Sequence, residues 1–143
     1  MCIRDRGKTA RALRMLGIDT IYLRHPSRDK LQELALKENR IILTRAHDIN
    51  LKNKVLILED VPYDEHIKFL LKKFKLKIKP LTRCLECNSL LCTVDKSFVK
   101  GKVPFFVYQT FQKFAYCPYC KKIYWQGTHY QAMQRKIKEW LIR

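Results

Sequence analysis

The chain has 143 residues, 47% of them hydrophobic, and 30 Lys+Arg against 13 Asp+Glu leave a formal net charge of +17. That length holds one domain of ordinary size or a small domain with a metal module, and the apolar content excludes a disordered tail. No apolar run reaches membrane-spanning length. A charge this large in so short a chain repels itself unless a polyanion is near, and nucleic acid is the commonest such partner of a soluble protein.

In chain order, residues 7–16 read as a helix, with Ala10, Leu13 and Leu16 near helical spacing and Gly17 as its stop. Residues 19–23 read as a short strand. Ser27 can cap a helix over 28–38 whose buried stripe is Leu31, Leu34 and Ala35. Residues 40–44 and 55–58 are continuous apolar runs, the pattern of buried parallel strands, joined through a polar helix or loop at 47–53. Pro62 opens a helix to Phe74 with Ile67, Leu70, Leu71 and Phe74 inward. This succession implies an α/β layer with a parallel sheet. Residues 76–83, containing Pro80, read as a linker into a module running from 82 to about 124. A last helix over 127–143 carries Met133, Ile137, Trp140 and Leu141 as its apolar stripe.

The module is defined by two Cys-x-x-Cys knuckles, Cys84/Cys87 and Cys117/Cys120. A two-residue gap lets two thiolates meet one ion, and two such pairs across a spacer are the pattern of a structural zinc site. Residues 88–116 leave room for a small β excursion, and some of the aromatics Phe105, Phe106, Tyr108, Phe111, Phe114 and Tyr116 must fill its small core. Paired disulfides would need an oxidising compartment, whereas the absence of a leading signal segment points to the cytoplasm. A thioredoxin-like redox pair needs one such motif at a strand-to-helix junction, not two. Four protein ligands leave no position for water, so this zinc does no chemistry. Cys92 is expected to pack as a small apolar residue.

The crowding of Lys72, Lys73, Lys75, Lys77 and Lys79 would also arise from solvated helix faces or a lysine-rich genome. The deficit of acids is the better argument for a polyanion. An anionic membrane is disfavoured, because no helix joins a wide apolar face to a polybasic one. No small-molecule cofactor is expected, and the oligomeric state is not legible.

Three stretches carry a resemblance: Gly7-Lys8-Thr9-Ala10-Arg11-Ala12-Leu13-Arg14-Met15-Leu16-Gly17, then Arg40-Ile41-Ile42-Leu43-Thr44-Arg45, then Thr82-Arg83-Cys84 with the second knuckle and Ile123-Tyr124-Trp125-Gln126-Gly127-Thr128-His129. In this order, over residues 7–140, they resemble the Mut-seven C-terminal ribonuclease family. The resemblance implies a PIN-like three-layer α/β domain over 1–80, followed over 81–143 by a four-cysteine zinc ribbon and a C-terminal helix. It also implies RNA as partner and phosphodiester cleavage dependent on magnesium or manganese, held by carboxylates at the carboxyl ends of parallel strands.

Residue by residue, the family's acids transfer unevenly. Asp29 matches at the start of the second helix, but Ile3 and Ala46 stand at two other acidic positions. Asp48 could replace the acid lost at Ala46, or His47 could supply a ligand, and Asp60, beside Glu59, is a further candidate. Residues 1–6 lack the apolar strand residues that the family places there, which reads as a displaced start. Lys8, Arg11, Arg14 and Arg45, with His129 in the Gly127-Thr128-His129 signature, are the candidates for phosphate contact. Three readings stay open: a weakened ribonuclease, a non-catalytic RNA-binding protein, and an interaction protein whose charge only keeps it soluble.

Overall fold

A computed structural model describes residues 2–3, 7–23, 26–44, 55–57 and 61–141. The helical spacing of Ala10, Leu13 and Leu16 buries one face of α1 (Gly7–Met15) almost completely. Its end is a hydrogen-bonded stop. Gly17 takes φ 84°, its amide donates to the Arg14 carbonyl at 2.9 Å, and the Ile18 amide reaches back to Leu13 at 2.9 Å. This paired geometry is the Schellman motif, which favours glycine at the left-handed position. In α2 (Arg28–Lys37) the Ser27 hydroxyl accepts from the Lys30 amide at 3.1 Å, the side-chain cap expected of serine.

Four parallel strands form one sheet in the order β2-β1-β3-β4: β1 (Cys2–Ile3), β2 (Ile21–Tyr22), β3 (Ile42–Thr44) and β4 (Val55–Ile57). The strand β1 is a departure from the sequence expectation, which saw no strand in residues 1–6. Two residues cannot display a periodicity, yet the backbone there pairs with Ile21 on one side and Ile42 on the other. The polar segment 47–53 lies outside the described residues.

Successive side chains of a strand point to opposite faces, and the core divides accordingly. Leu43 joins α1, α3 (Tyr63–Phe74) and α6 (Thr128–Leu141) in one cluster, with Leu13, Ile67, Leu70 and Trp140 buried among them. Ile42 faces the other way and packs with Leu31 and Ala35 of α2. The result is three layers, helix on sheet on helix. Trp140 and Ile137 thus bring the C-terminal helix into the same core as α1 and α3, whereas Leu141, expected on that stripe, is exposed. Trp140 Nε1 donates to Asp64 at 2.8 Å and Lys136 Nζ sits 3.2 Å from the same carboxylate. Burial opposes ionisation of Asp64, but these two donors outweigh it and hold its pKa below the usual value.

The remaining elements form a three-stranded antiparallel sheet, β5-β6-β7, built from β5 (Cys92–Val94), β6 (Phe114–Tyr116) and β7 (Ile123–Trp125). The β excursion expected over 88–116 is present as the pair β5 and β6, and the segment between them is helical, with α4 (Lys96–Val99) and α5 (Phe105–Thr110). Pro104 sets the backbone that starts α5, and both helices are too short to show an apolar period. Val99, Val107 and Phe114 fill the small core, with Tyr108, Phe111 and Trp125 against it. Cys92, expected inside, is exposed on β5: it shares a face with Val94, but the small core takes in Val94 and ends before Cys92 at the start of the strand. No described helix is long and apolar enough to cross a membrane.

Gly17 and Gly101 test the backbone argument together, since both have positive φ, 84° and 78°. A Cβ on Gly101 meets nothing within 4 Å, whereas one on Gly17 would collide with the Lys79 carbonyl and the Thr82 hydroxyl. Gly101→Ala is expected to cost about 1–2 kcal/mol from the left-handed conformation alone. Gly17→Ala should cost clearly more, read as a lower urea midpoint at unchanged slope. Equal midpoints for the two variants would contradict this account.

Candidate metal centre and nucleic-acid groove

The two knuckles are local copies of one another. In the first, the Asn88 amide donates to the Cys84 carbonyl and the Cys84 amide to the Ser89 carbonyl, both at 2.9 Å. In the second, Lys121 to Cys117 at 2.8 Å and Cys117 to Lys122 at 2.9 Å repeat the pattern. Each turn closes through a left-handed residue one place after its second cysteine, Asn88 at φ 74° and Lys121 at φ 63°. Asparagine tolerates that region; lysine is strained there.

These turns bring the sulfurs of Cys84, Cys87, Cys117 and Cys120 within 4.8 Å of one another, with Cys87 and Cys117 at 3.5 Å. A tetrahedral zinc with bonds near 2.3 Å has sulfur–sulfur edges of roughly 3.8 Å, so the set fits the ion with small adjustments. The Tyr124 hydroxyl lies 3.2 Å from Cys84 Sγ and accepts from the Leu85 amide at 3.2 Å, an outer contact that orients the ligand. Burial, then the Cys84 neighbour, raises the tyrosine's pKa. Among the thiols, burial acts against ionisation of Cys87, but hydrogen bonds from Ser89 prevail and bring it down to about 6. The Cys87 hydrogen bond, then burial, pushes Cys120 up to about 12. Zinc must therefore expel protons as it binds.

A network fastens the first knuckle to the α/β layer. Arg14 is buried, and its guanidinium donates to the Thr20 carbonyl at 2.9 Å and to the Leu85 and Glu86 carbonyls at 2.9 and 3.1 Å. Burial lowers its pKa, and Cys87 and Cys84 pull in the opposite direction. Asn88 accepts from the Thr20 amide at 2.8 Å and donates to Asp19 at 2.6 Å. Arg40 grips the same Asp19 with two bonds at 3.0 and 3.2 Å. For Asp19, burial raises the pKa, but Asn88 and Arg40 reverse this and leave it lowered.

Arg14, expected among the phosphate contacts, is thus committed to the protein's own carbonyls, which fix its side chain inward. Lys8, Arg11 and His129, by contrast, line one groove between α1 and α6, with a volume of about 830 Å³. Lys8 and His129 are exposed, and Arg11 holds Glu86 at 2.6 Å on the surface. Asp29 is exposed in the first turn of α2. Asp48, Asp60 and Arg45 lie outside the described residues, as do Ala46 and His47. Among the described residues, the four cysteines form the only cluster of His, Cys, Asp and Glu able to hold a metal ion. The described carboxylates therefore do not by themselves assemble a site for magnesium or manganese. Sequence reasoning passed over Asp19 and His66. His66 is buried, with Nδ1 3.2 Å from the Thr9 hydroxyl. Neither has a local signature, because the partners lie far along the chain.

Metal-replete protein is expected to carry one zinc per chain. Structural zinc contributes on the order of 10 kcal/mol of folding free energy at neutral pH. Chelation should abolish the folded signal of residues 82–124 first, and Cys117→Ser should lower thermal stability even without chelator. Elemental analysis returning no zinc would refute the site. Binding should also weaken as pH falls, because protons compete for the thiolates.

No curated protein and no solved structure matches the chain. A family model does: that of the Mut7-C RNAse domain, over residues 4–137. The match spans β2, β3 and β4 of the parallel sheet, both knuckles and most of the last helix, and the chain therefore belongs to the Mut7-C RNase domain family.

Proposed function

We propose that this chain is a PIN-like ribonuclease that holds RNA through its basic surface and cleaves it weakly with magnesium or manganese. The observation that carries the reading is the family match over residues 4–137. The four strands run parallel, so their carboxyl ends share one edge. Asp29 follows β2 in the first turn of α2, the side of the sheet where such chemistry is expected. A divalent ion bound there would supply an activated water and neutralise the scissile phosphate. The weakening follows from Ile3 and Ala46 at positions where the family resemblance calls for carboxylates, which leaves Asp48 and Asp60 as the remaining candidates beside Asp29. A single carboxylate holds magnesium poorly, because that ion gives up its waters reluctantly. The reading carries a reducing, cytoplasmic setting with it, since a four-thiolate site needs unoxidised cysteines.

A second reading, an RNA-binding protein without catalysis, is favoured by a specific observation. Lys8, Arg11 and His129 line one groove whose wall contains no Asp or Glu. The exposed Lys68, Lys72 and Lys73 on α3, and Lys75, Lys77 and Lys79 beyond it, extend the positive surface. Basic side chains of this kind hold phosphates, and exposed aromatics stack unpaired bases.

Two measurements follow. The chain as it stands should cleave a mixed single-stranded RNA pool poorly with magnesium or manganese. Ala46→Asp together with an Asp-bearing first strand should raise the rate far more than either change alone, because the ligands act as one site. Robust cleavage by the unaltered chain, lost in Asp29→Asn, would show that Asp48 or Asp60 completes the site. RNA affinity should fall steeply with salt as counterions are released. Binding absent at low salt, or indifferent to added salt, would remove the phosphate-contact reading.

A further inference from the structure

We propose that the groove between α1, α5, β7 and α6 is a seat for unpaired RNA bases, with Phe106 as the stacking side chain. The inference rests on the reading above that RNA is the ligand, and it assigns where and in what form RNA is held. One wall is α1, where Lys8 and Arg11 recur at helical spacing, and the opposite wall is α6, with His129 and Lys136. Every charged residue of the lining is basic, with Arg11 paired to Glu86 and Lys136 to Asp64 beside the groove. The charge therefore matches a polyanion, while the surface between the charges is apolar and aromatic.

Phe106 supplies the second half of the argument. The ribbon core is complete with Val99, Val107 and Phe114, yet Phe106 stands at the groove with 66% of its surface exposed. An exposed aromatic beside basic groups is costly to leave in water and matches one kind of polyanion well, one that carries flat apolar rings. Base–aromatic stacking tolerates any sequence, because every base has a π-face. A volume of about 830 Å³ lies in the range that encloses ligands well beyond a single ring. Duplex RNA cannot use it, since its bases are stacked inside the helix and offer only backbone and groove edges. Single-stranded RNA is the occupant that satisfies both features.

The test uses the full, zinc-loaded chain with no magnesium added, so that cleavage does not intervene. Its probes are an unstructured oligouridine RNA and an RNA duplex of equal charge, followed by anisotropy at low salt. The chain's two tryptophans, Trp125 and Trp140, both line the groove, so their fluorescence reports occupancy directly. The single strand should quench it and the duplex should not. Phe106→Ala should weaken the single strand about tenfold, the value of one stacked base, and Phe106→Tyr should restore it. Phe105→Ala should change nothing: Phe105 is 72% exposed but lies off the groove. Single-strand binding unaffected by Phe106→Ala, or without a tryptophan response, would place the site elsewhere and leave RNA binding standing. Absence of any RNA binding at low salt would overturn both readings. A dimer that Phe106→Ala dissociates, with no fluorescence response to RNA, would make the occupant a second copy of the chain and overturn the proposal.

Discussion

The arrangement of the molecule depends on one buried guanidinium. Arg14 leaves α1 and spends its donors on three carbonyls, two of them inside the first zinc knuckle. A buried guanidinium with its partners removed is expensive, since each hydrogen bond to a charged group is worth about 1.5–3 kcal/mol. The knuckle and α1 therefore cannot separate cheaply. Asn88 adds to this from the knuckle side: its backbone takes the left-handed conformation that closes the turn, while its side chain bridges Thr20 and Asp19. One residue thus serves the metal turn and the junction with the α/β layer. Zinc bound by the ribbon consequently stabilises α1 and β2 as well, although no ligand comes from either.

The second knuckle shows what that junction adds. Lys121 occupies the same left-handed position as Asn88, but its side chain is exposed and the turn makes no comparable bridge. The hydrogen-bond pattern around the cysteines is repeated; the docking is not. Each knuckle needs only its own few residues to aim two sulfurs, which is why the spacing alone identified the metal site. Fastening the site to the rest of the chain needs residues as distant as Arg14, Asp19 and Arg40, and no local pattern announces them.

This contrast separates what could be read from the sequence from what could not. The helices α1, α2 and α3 were legible because each has an apolar stripe and a stop or cap of known chemistry, such as Ser27 or Gly17. The strands β3 and β4 were legible as short buried apolar runs. By contrast, β1 has only two residues and is held by its neighbours on both sides, so its existence is a tertiary fact. In the insert, α4 and α5 have four and six residues, too few for a period, although Pro104 was a usable signal for the start of α5. Cys92 was misplaced because its chemistry suggested burial, while the small core around Phe114 reaches Val94 and stops short of the strand's first residue. Arg14 shared a basic motif with Lys8 and Arg11, and that spacing gave no hint that Arg14 is buried against the knuckle's carbonyls while Arg11 meets Glu86 at the surface. The carboxylate set was legible only through the family resemblance, since acids gathered from separate strand ends have no common local spacing.

The division of labour between the two metals follows from coordination. Four sulfurs saturate a tetrahedral zinc, so the ribbon offers no open position and its metal cannot polarise a substrate. On the proposed reading, hydrolysis would use a separate ion at the sheet's carboxyl edge, and the ribbon's contribution to it would be through binding. The helix α1 is the element common to both regions. Its first turn follows β1 at that edge, while Lys8 and Arg11 line the groove. Nine residues of helix span about 14 Å, so a strand seated in the proposed groove lies within a few nucleotides of the edge. In that proposal the ribbon would serve as one wall of a substrate channel, and the metal holding that wall in place would affect cleavage without touching the scissile bond.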